Sequence, residues 1–163
     1  MTIIAVTDAN IFIDLIALNL IESFLSLEIT IWTTEEVLME LYPQDKEDII
    51  AFKTLNVEQF DKNTRGKIEG LSNHFSPADK SLLYLVSQLD EAILLSGEKR
   101  MRSWCKKQNI EVHGIIWVLQ LLIDHKTIIT HQAADYLTTL LTINNWLPAK
   151  TCLDQIEKWK STS

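Results

Sequence analysis

Ile3-Ile4-Ala5-Val6-Thr7-Asp8-Ala9-Asn10-Ile11-Phe12 decides the architecture of this chain. The first four residues form a continuous apolar run, as a strand buried on both faces requires. Thr7 to Asn10 is a polar break. From Ile11 to Leu27 apolar residues return at helical spacing, with Asp14, Asn19, Glu22 and Ser26 distributed as a polar side. A doubly buried strand followed at once by a helix opens a parallel α/β unit. Asp8 falls two residues past the strand, in the region where such sheets place their sites.

The pattern repeats along the chain. Ile29-Thr30-Ile31-Trp32 is β-branched and aromatic and predicts a second strand. Thr33 or Thr34 can cap a helix that runs to about Leu41, with Glu35 and Glu36 in its first turn and Pro43 soon after its end. Lys46 to Phe52 suits a short helix, Leu55-Asn56-Val57 a third strand, and Asp61 to Leu71 a polar amphipathic helix. Ser76-Pro77-Ala78-Asp79 is a helix start, with Ser as N-cap, Pro first and Asp third, and the helix reaches about Leu89. Ala92 to Leu95 is another buried strand, and Ser96-Gly97 turns the chain. Glu98 to Gln108 is a helix with Met101, Trp104 and Cys105 on its inner side, and Ile110 to Val112 is a last short strand. Ile115 to Asp124 is apolar and helical. Thr130 caps a helix to about Leu141, and Thr151 to Trp159 forms the last one. The expected fold is α/β, with a central parallel sheet of four to five strands between two helical layers. One domain over residues 1–163 is expected, with a core at about 3–125 and C-terminal helices at about 130–160.

Composition narrows the function classes. The chain has 163 residues, of which 47% are hydrophobic and 23% charged, as in ordinary globular proteins. Four Gly and three Pro exclude a collagen-like or low-complexity chain. No apolar run approaches the roughly 18 residues of a membrane span, and neither a basic leader nor a small-residue cleavage site is present. Cys105 and Cys152 are too few for a disulfide scaffold, so free thiols in a reducing cytosol are expected. The net charge of −7 argues against a protein coated in positive potential. Clustered carboxylates that hold a divalent metal lower the charge in the same way. Five of the 15 basic residues, Lys99, Arg100, Arg102, Lys106 and Lys107, fall in one helix.

Four carboxylates, far apart in sequence, are ones that such a fold could bring together. Asp8 follows the first strand, and Glu40 lies about two turns into the helix after the second. Asp79 begins the helix before the Ala92 strand, and Glu98 follows that strand. Val6-Thr7-Asp8-Ala9-Asn10-Ile11-Phe12 resembles the opening of the PIN-domain family. Thr34 to Leu41 with Glu40, Ser76-Pro77-Ala78-Asp79, Leu94 to Lys99 with Glu98, and Glu111-Val112-His113-Gly114 resemble its later motifs in order and spacing. The likeness covers roughly residues 3 to 125.

The resemblance implies a PIN-like three-layer α/β/α fold and a metal-dependent ribonuclease, many relatives being VapC-type toxins of toxin–antitoxin pairs. It implies Mg²⁺ or Mn²⁺ bound by Asp8, Asp79 and Glu98, with Glu40 as a further ligand or a supporting group. Hard divalent cations want such oxygen donors, and they activate water and offset charge on a phosphate. Asn10 and Ser96 would hold the ligands by hydrogen bonds. Lys99 and Arg100, nearest the site, would contact RNA phosphates. A homodimer and a small antitoxin partner follow from the same likeness. Glu98 stands where the family usually has Asp, which moves the carboxylate by one methylene. The alternative is therefore a catalytically impaired PIN-like domain that binds RNA or protein. A phosphotransferase of the haloacid-dehalogenase class also opens with Asp after a strand, but it needs a second Asp at position 10, which is Asn.

Each carboxylate also has an ordinary structural use. Asp8 can open a turn, Asp79 and Glu98 can cap helices, and Glu40 can be a solvated helix residue. Asp14 fits either a helix surface or a polar contact near the cleft. His74, His113, His125 and His131 lack metal-ligand spacing. The tryptophans suit core or dimer packing, and Cys105 a core position.

Overall fold

The computed structural model describes residues 2–162. β1 (Ile4–Thr7) leads into α1 (Ala9–Ala17) and α2 (Ile21–Leu25). β2 (Thr30–Thr34), α3 (Glu35–Leu38), α4 (Pro43–Ile50), β3 (Leu55–Glu58), α5 (Lys62–Glu69) and α6 (Pro77–Gln88) follow. The remainder is β4 (Ile93–Leu95), α7 (Lys99–Lys107), β5 (Val112–His113), α8 (Ile115–Asp124), α9 (Thr130–Ile143) and α10 (Ala149–Ser161).

The five strands form one sheet in the order β3-β2-β1-β4-β5. Every pairing is parallel, with Val6 opposite Trp32 on one side and Leu94 on the other. Helices flank the sheet in a three-layer α/β/α arrangement, as expected. Parallel strands need crossover helices, and these bury both faces of the sheet. Ala5, Val6, Leu94 and Leu95 are accordingly buried. One buried cluster runs from Ala5 to Trp159.

The topology places the site. The chain begins at the centre of the sheet, builds outward through β2 to β3, then returns to the other side of β1 for β4 and β5. Crossovers from β1 and β4 therefore leave in opposite directions, which opens a crevice beyond their carboxyl ends. Asp8 and Ser96 are the residues that follow those two strands.

Several element boundaries differ from the sequence expectation. The single helix expected over Ile11 to Leu27 is two, because α1 ends in a Schellman turn. Asn19 adopts a left-handed φ of 57°, and the Leu20 amide reaches back to the Leu15 carbonyl at 2.8 Å. Asn tolerates that conformation better than other side-chain-bearing residues. Asn109 ends α7 in the same way, with Ile110 N–H donating to Cys105 C=O at 2.8 Å. The helix expected from Thr34 to Leu41 stops at Leu38, and α4 begins at Pro43 rather than Lys46. Proline pre-sets a first helical turn but excludes helix from the residue before it, and Tyr42 is extended with ψ 144°. The last strand is displaced to Val112–His113. Thr130 is the first residue of α9 and not its cap: the Ile129 amide donates to Gln132 Oε1 at 2.9 Å.

α9 and α10 form an antiparallel pair, with Thr130 at the start of α9 donating to Thr162 C=O past the end of α10 at 3.5 Å. Trp159 is buried and its indole N–H donates to Gln120 Oε1 at 3.0 Å, which docks α10 on α8. Both cysteines are free and buried. No helix among the described residues is long and apolar enough to cross a membrane.

Candidate active site

Asp8 is the N-cap of α1 and only 4% exposed. Its backbone N–H donates to Leu95 C=O at 3.0 Å, which fixes it beside β4. Oδ1 accepts from the Ala9 amide at 2.7 Å and Oδ2 from the Ser96 hydroxyl at 2.7 Å. Burial pushes the carboxyl up to about 6. The Ser96 hydrogen bond opposes that shift, the Asp79 charge adds to it, the Ala9 amide opposes it, and Glu40 adds a smaller repulsion. Desolvation penalises the charged form, and like charges nearby do the same.

Asp79 sits in the first turn of α6 below its N-cap, its amide bonded to the Ser76 hydroxyl at 3.1 Å. The reading of Ser76-Pro77-Ala78-Asp79 as a helix start holds in each position. The Asp79 carboxyl is raised by burial and by Glu98, and held down by Ser76 and by Arg100. Glu40 is raised by burial and then by Asp79. It stands exposed in the turn after α3, not two turns inside a helix, with its amide on Val37 C=O at 3.0 Å. The turn still delivers it to the cluster, since its charge reaches both Asp8 and Asp79.

Glu98 is the N-cap of α7 and partly buried. Its Oε2 accepts from the Met101 amide at 2.9 Å, and its own N–H donates to the Ser96 hydroxyl oxygen at 3.1 Å. Ser96 therefore donates a hydrogen bond to the Asp8 carboxylate and accepts one from the Glu98 backbone amide, and so ties Asp8 to the start of the segment that carries Glu98. It is fully buried. Asn10 is exposed, and among the described residues no hydrogen bond ties its side chain to Asp8. Lys99 is exposed at the start of α7. Arg100 is also exposed, and its Nη1 donates to His74 C=O at 3.2 Å beside Asp79.

A chain of hydroxyls, not anticipated from the sequence, braces the cluster from below. Ser81 donates to Ala78 C=O at 2.6 Å, so Thr34 Oγ1 must donate to Ser81 Oγ across their 2.7 Å contact. Thr34 Oγ1 in turn accepts from the Val37 amide at 3.2 Å. The start of α3, which leads to Glu40, is thus joined to the first turns of α6, which carry Asp79. Of the two threonines that could cap α3, Thr34 does so; Thr33 donates instead to Thr7 C=O at 2.9 Å. Asp14 is buried, remote from these acids in its bonding, and held by Asn144 Nδ2 at 3.1 Å. Its carboxyl is pushed up to about 6 by burial against the pull of Asn144.

The donor set is oxygen only, which suits a hard divalent cation. Among the described residues no three His, Cys, Asp or Glu side chains stand together as a ready ligand cage. A groove of about 740 Å³ lies at the opposite end of the sheet against Ile3, Glu91, Trp104 and Glu111, away from the acids.

The family described as a PIN domain matches residues 4–161. No curated protein matches the chain.

Proposed function

The chain belongs to the PIN-domain family, a nuclease-type fold, and from that premise we propose that it is a metal-dependent endoribonuclease that hydrolyses RNA phosphodiester bonds. One observation supports this most: a buried carboxyl, Asp8, held at about 6 at a sheet switch point with the charges of Asp79 and Glu40 bearing on it. Such repulsion is costly in a resting protein and is offset when a cation joins the group.

In this reading Asp8, Asp79 and Glu98 hold Mg²⁺ (or Mn²⁺), with Glu40 as a further ligand or a supporting acid. The cation, when bound, stabilises charge on the phosphate and eases ionisation of water. Ser96 fixes the Asp8 carboxylate through Oδ2. Asn10, at the mouth, is free to bond to substrate or to a water beside Asp8. Lys99 and Arg100 contact phosphates flanking the cleaved bond. Arg100 already moderates the charge of Asp79. We extend the proposal to a VapC-type toxin in the cytoplasm, one domain over residues 1–163, dimeric and restrained by a small antitoxin, on the strength of the motif likeness in residues 3 to 125.

A second reading, a PIN-like binding module without activity, is favoured by Glu98, whose carboxylate is engaged in capping α7. Titration calorimetry with Mn²⁺ and Mg²⁺ on the wild type and Asp8→Asn separates the two. Saturable binding lost in Asp8→Asn, together with RNA cleavage, supports the nuclease. Absence of both binding and cleavage in the wild type supports the module.

A further inference from the structure

Arg102 stands apart from the other cations of α7. Lys99, Arg100, Lys106 and Lys107 are exposed, whereas Arg102 is partly buried. Its amide donates to the Glu98 carbonyl at 3.1 Å, so it lies one turn along α7 from Glu98. Helical side chains lean toward the N-terminus of their helix, and here that end meets the strand ends. Met101 and Cys105, both fully buried, anchor the helix on either side of it.

The guanidinium reaches Gly114, the residue directly after β5. A Cβ built on Gly114 would sit 3.1 Å from Arg102 Nη1, tighter than ordinary contact. The absence of a side chain is what lets the guanidinium lie there. Gly114 has φ −111° and ψ −162°, which any residue adopts, so its backbone does not demand glycine. Next to it, His113 C=O accepts from the Ser96 amide at 2.9 Å, and Ser96 in turn holds Asp8. The guanidinium is thus seated one residue beyond the strand end that braces the acidic cluster. The ion pairs among the described residues are Lys46 with Glu35 and His113 with Glu111, so Arg102 has no carboxylate partner in a chain of net charge −7.

We infer that Arg102, seated over Gly114, is a further guanidinium, beside Arg100, that binds an RNA phosphate at the acidic cluster. This rests on the nuclease reading above. Arginine offers a planar fork that matches two phosphate oxygens, which Lys99 cannot do. Seated against backbone, it approaches the phosphate pre-oriented.

The test uses a short fluorescein-labelled RNA of mixed sequence, with Ca²⁺ as the non-cleaving cation, and reads Kd by anisotropy across a KCl series. Arg102→Ala is expected to raise Kd roughly tenfold and to flatten the log Kd against log salt slope by about 0.7. Arg102→Lys is expected to keep the slope and lose part of the affinity. Gly114→Ala displaces the guanidinium, so it weakens binding in the wild-type background and has no effect in Arg102→Ala. An unchanged Kd and slope in Arg102→Ala overturns the inference, as does an equal effect of Gly114→Ala in both backgrounds. If the wild type binds and cleaves RNA in those cases, only the role of Arg102 is lost. A wild type that neither binds nor cleaves removes the nuclease reading and this inference together.

Discussion

Ser96 Oγ donates to Asp8 Oδ2 across 2.7 Å, although the two residues are 88 positions apart in the chain. The bond exists because β4 lies against β1 with Thr7 opposite Leu95, so that the next residues on both strands meet. It orients one oxygen of the acid on which the proposed chemistry depends, and it holds down a carboxyl that burial pushes up.

Asp8→Asn is expected to abolish RNA cleavage while the fold survives. Raising a carboxyl from 3.8 to about 6 corresponds to roughly 3 kcal/mol of cost when it is ionised. The amide removes that cost but keeps fewer acceptors for Ser96 and Ala9, so a net gain of about 1 kcal/mol, or a few degrees in Tm, is expected. Unchanged cleavage in this variant contradicts the site assignment.

Stability without metal is expected to fall as pH rises from about 4 through about 6. Asp8 and Asp14 both sit at about 6 when folded, against 3.8 as the reference. The folded protein therefore holds more protons in that window, and stability falls with pH. It is greatest below the unfolded pKa and is lost through the folded one. Urea midpoints in chelator at pH 5 and pH 7 check the direction. Asp14→Asn should flatten part of the slope, and a midpoint that rises toward pH 7 would count against both shifts.

Mn²⁺ at pH 7 is expected to raise the wild-type Tm, because a ligand of the native state stabilises it by mass action. The shift should be far smaller in Asp8→Asn, and binding to the wild type should release protons. Equal Tm shifts in both proteins would move the cation elsewhere.

Glu98→Asp is expected to preserve or raise cleavage. Asp is a preferred N-cap, so the bond to the Met101 amide has a replacement, and the carboxylate takes the shorter reach usual in the family. Complete loss in a folded variant would show that the site is built around Glu98 itself.

Thr34→Val is expected to cost about 1–2 kcal/mol, since it strips the Val37 amide of its cap and Ser81 of its donor. Cleavage should fall further than stability alone explains, because Glu40 and Asp79 lose their shared brace. A Tm equal to wild type would show that the hydroxyl chain contributes nothing.

What the sequence shows of this molecule follows the range of each force. The apolar run Ile3 to Val6 and the signal Ser76-Pro77-Ala78-Asp79 are local patterns, and both place their elements within a residue. The split at Asn19 escapes because its local sign is one Asn in the left-handed conformation, where Gly would have stood out. Glu40 reads as helical because acids and leucines surround it, while the turn is imposed by Pro43. Asp14 reads equally well as surface or as cleft. Its burial depends on Asn144, 130 residues away, and no local pattern announces that pairing. The hydroxyl chain through Thr34 and Ser81 is likewise a product of packing between β2 and α6.

The reversal of strand order has a consequence for synthesis. A chain emerging from its N-terminus can lay down β1, β2 and β3 while β4 is still unmade. At that stage Asp8 lacks Ser96, Glu98 and the Leu95 carbonyl, and the crevice has only one wall. Whatever activity the acids confer is withheld until the second half of the sheet closes beside the first.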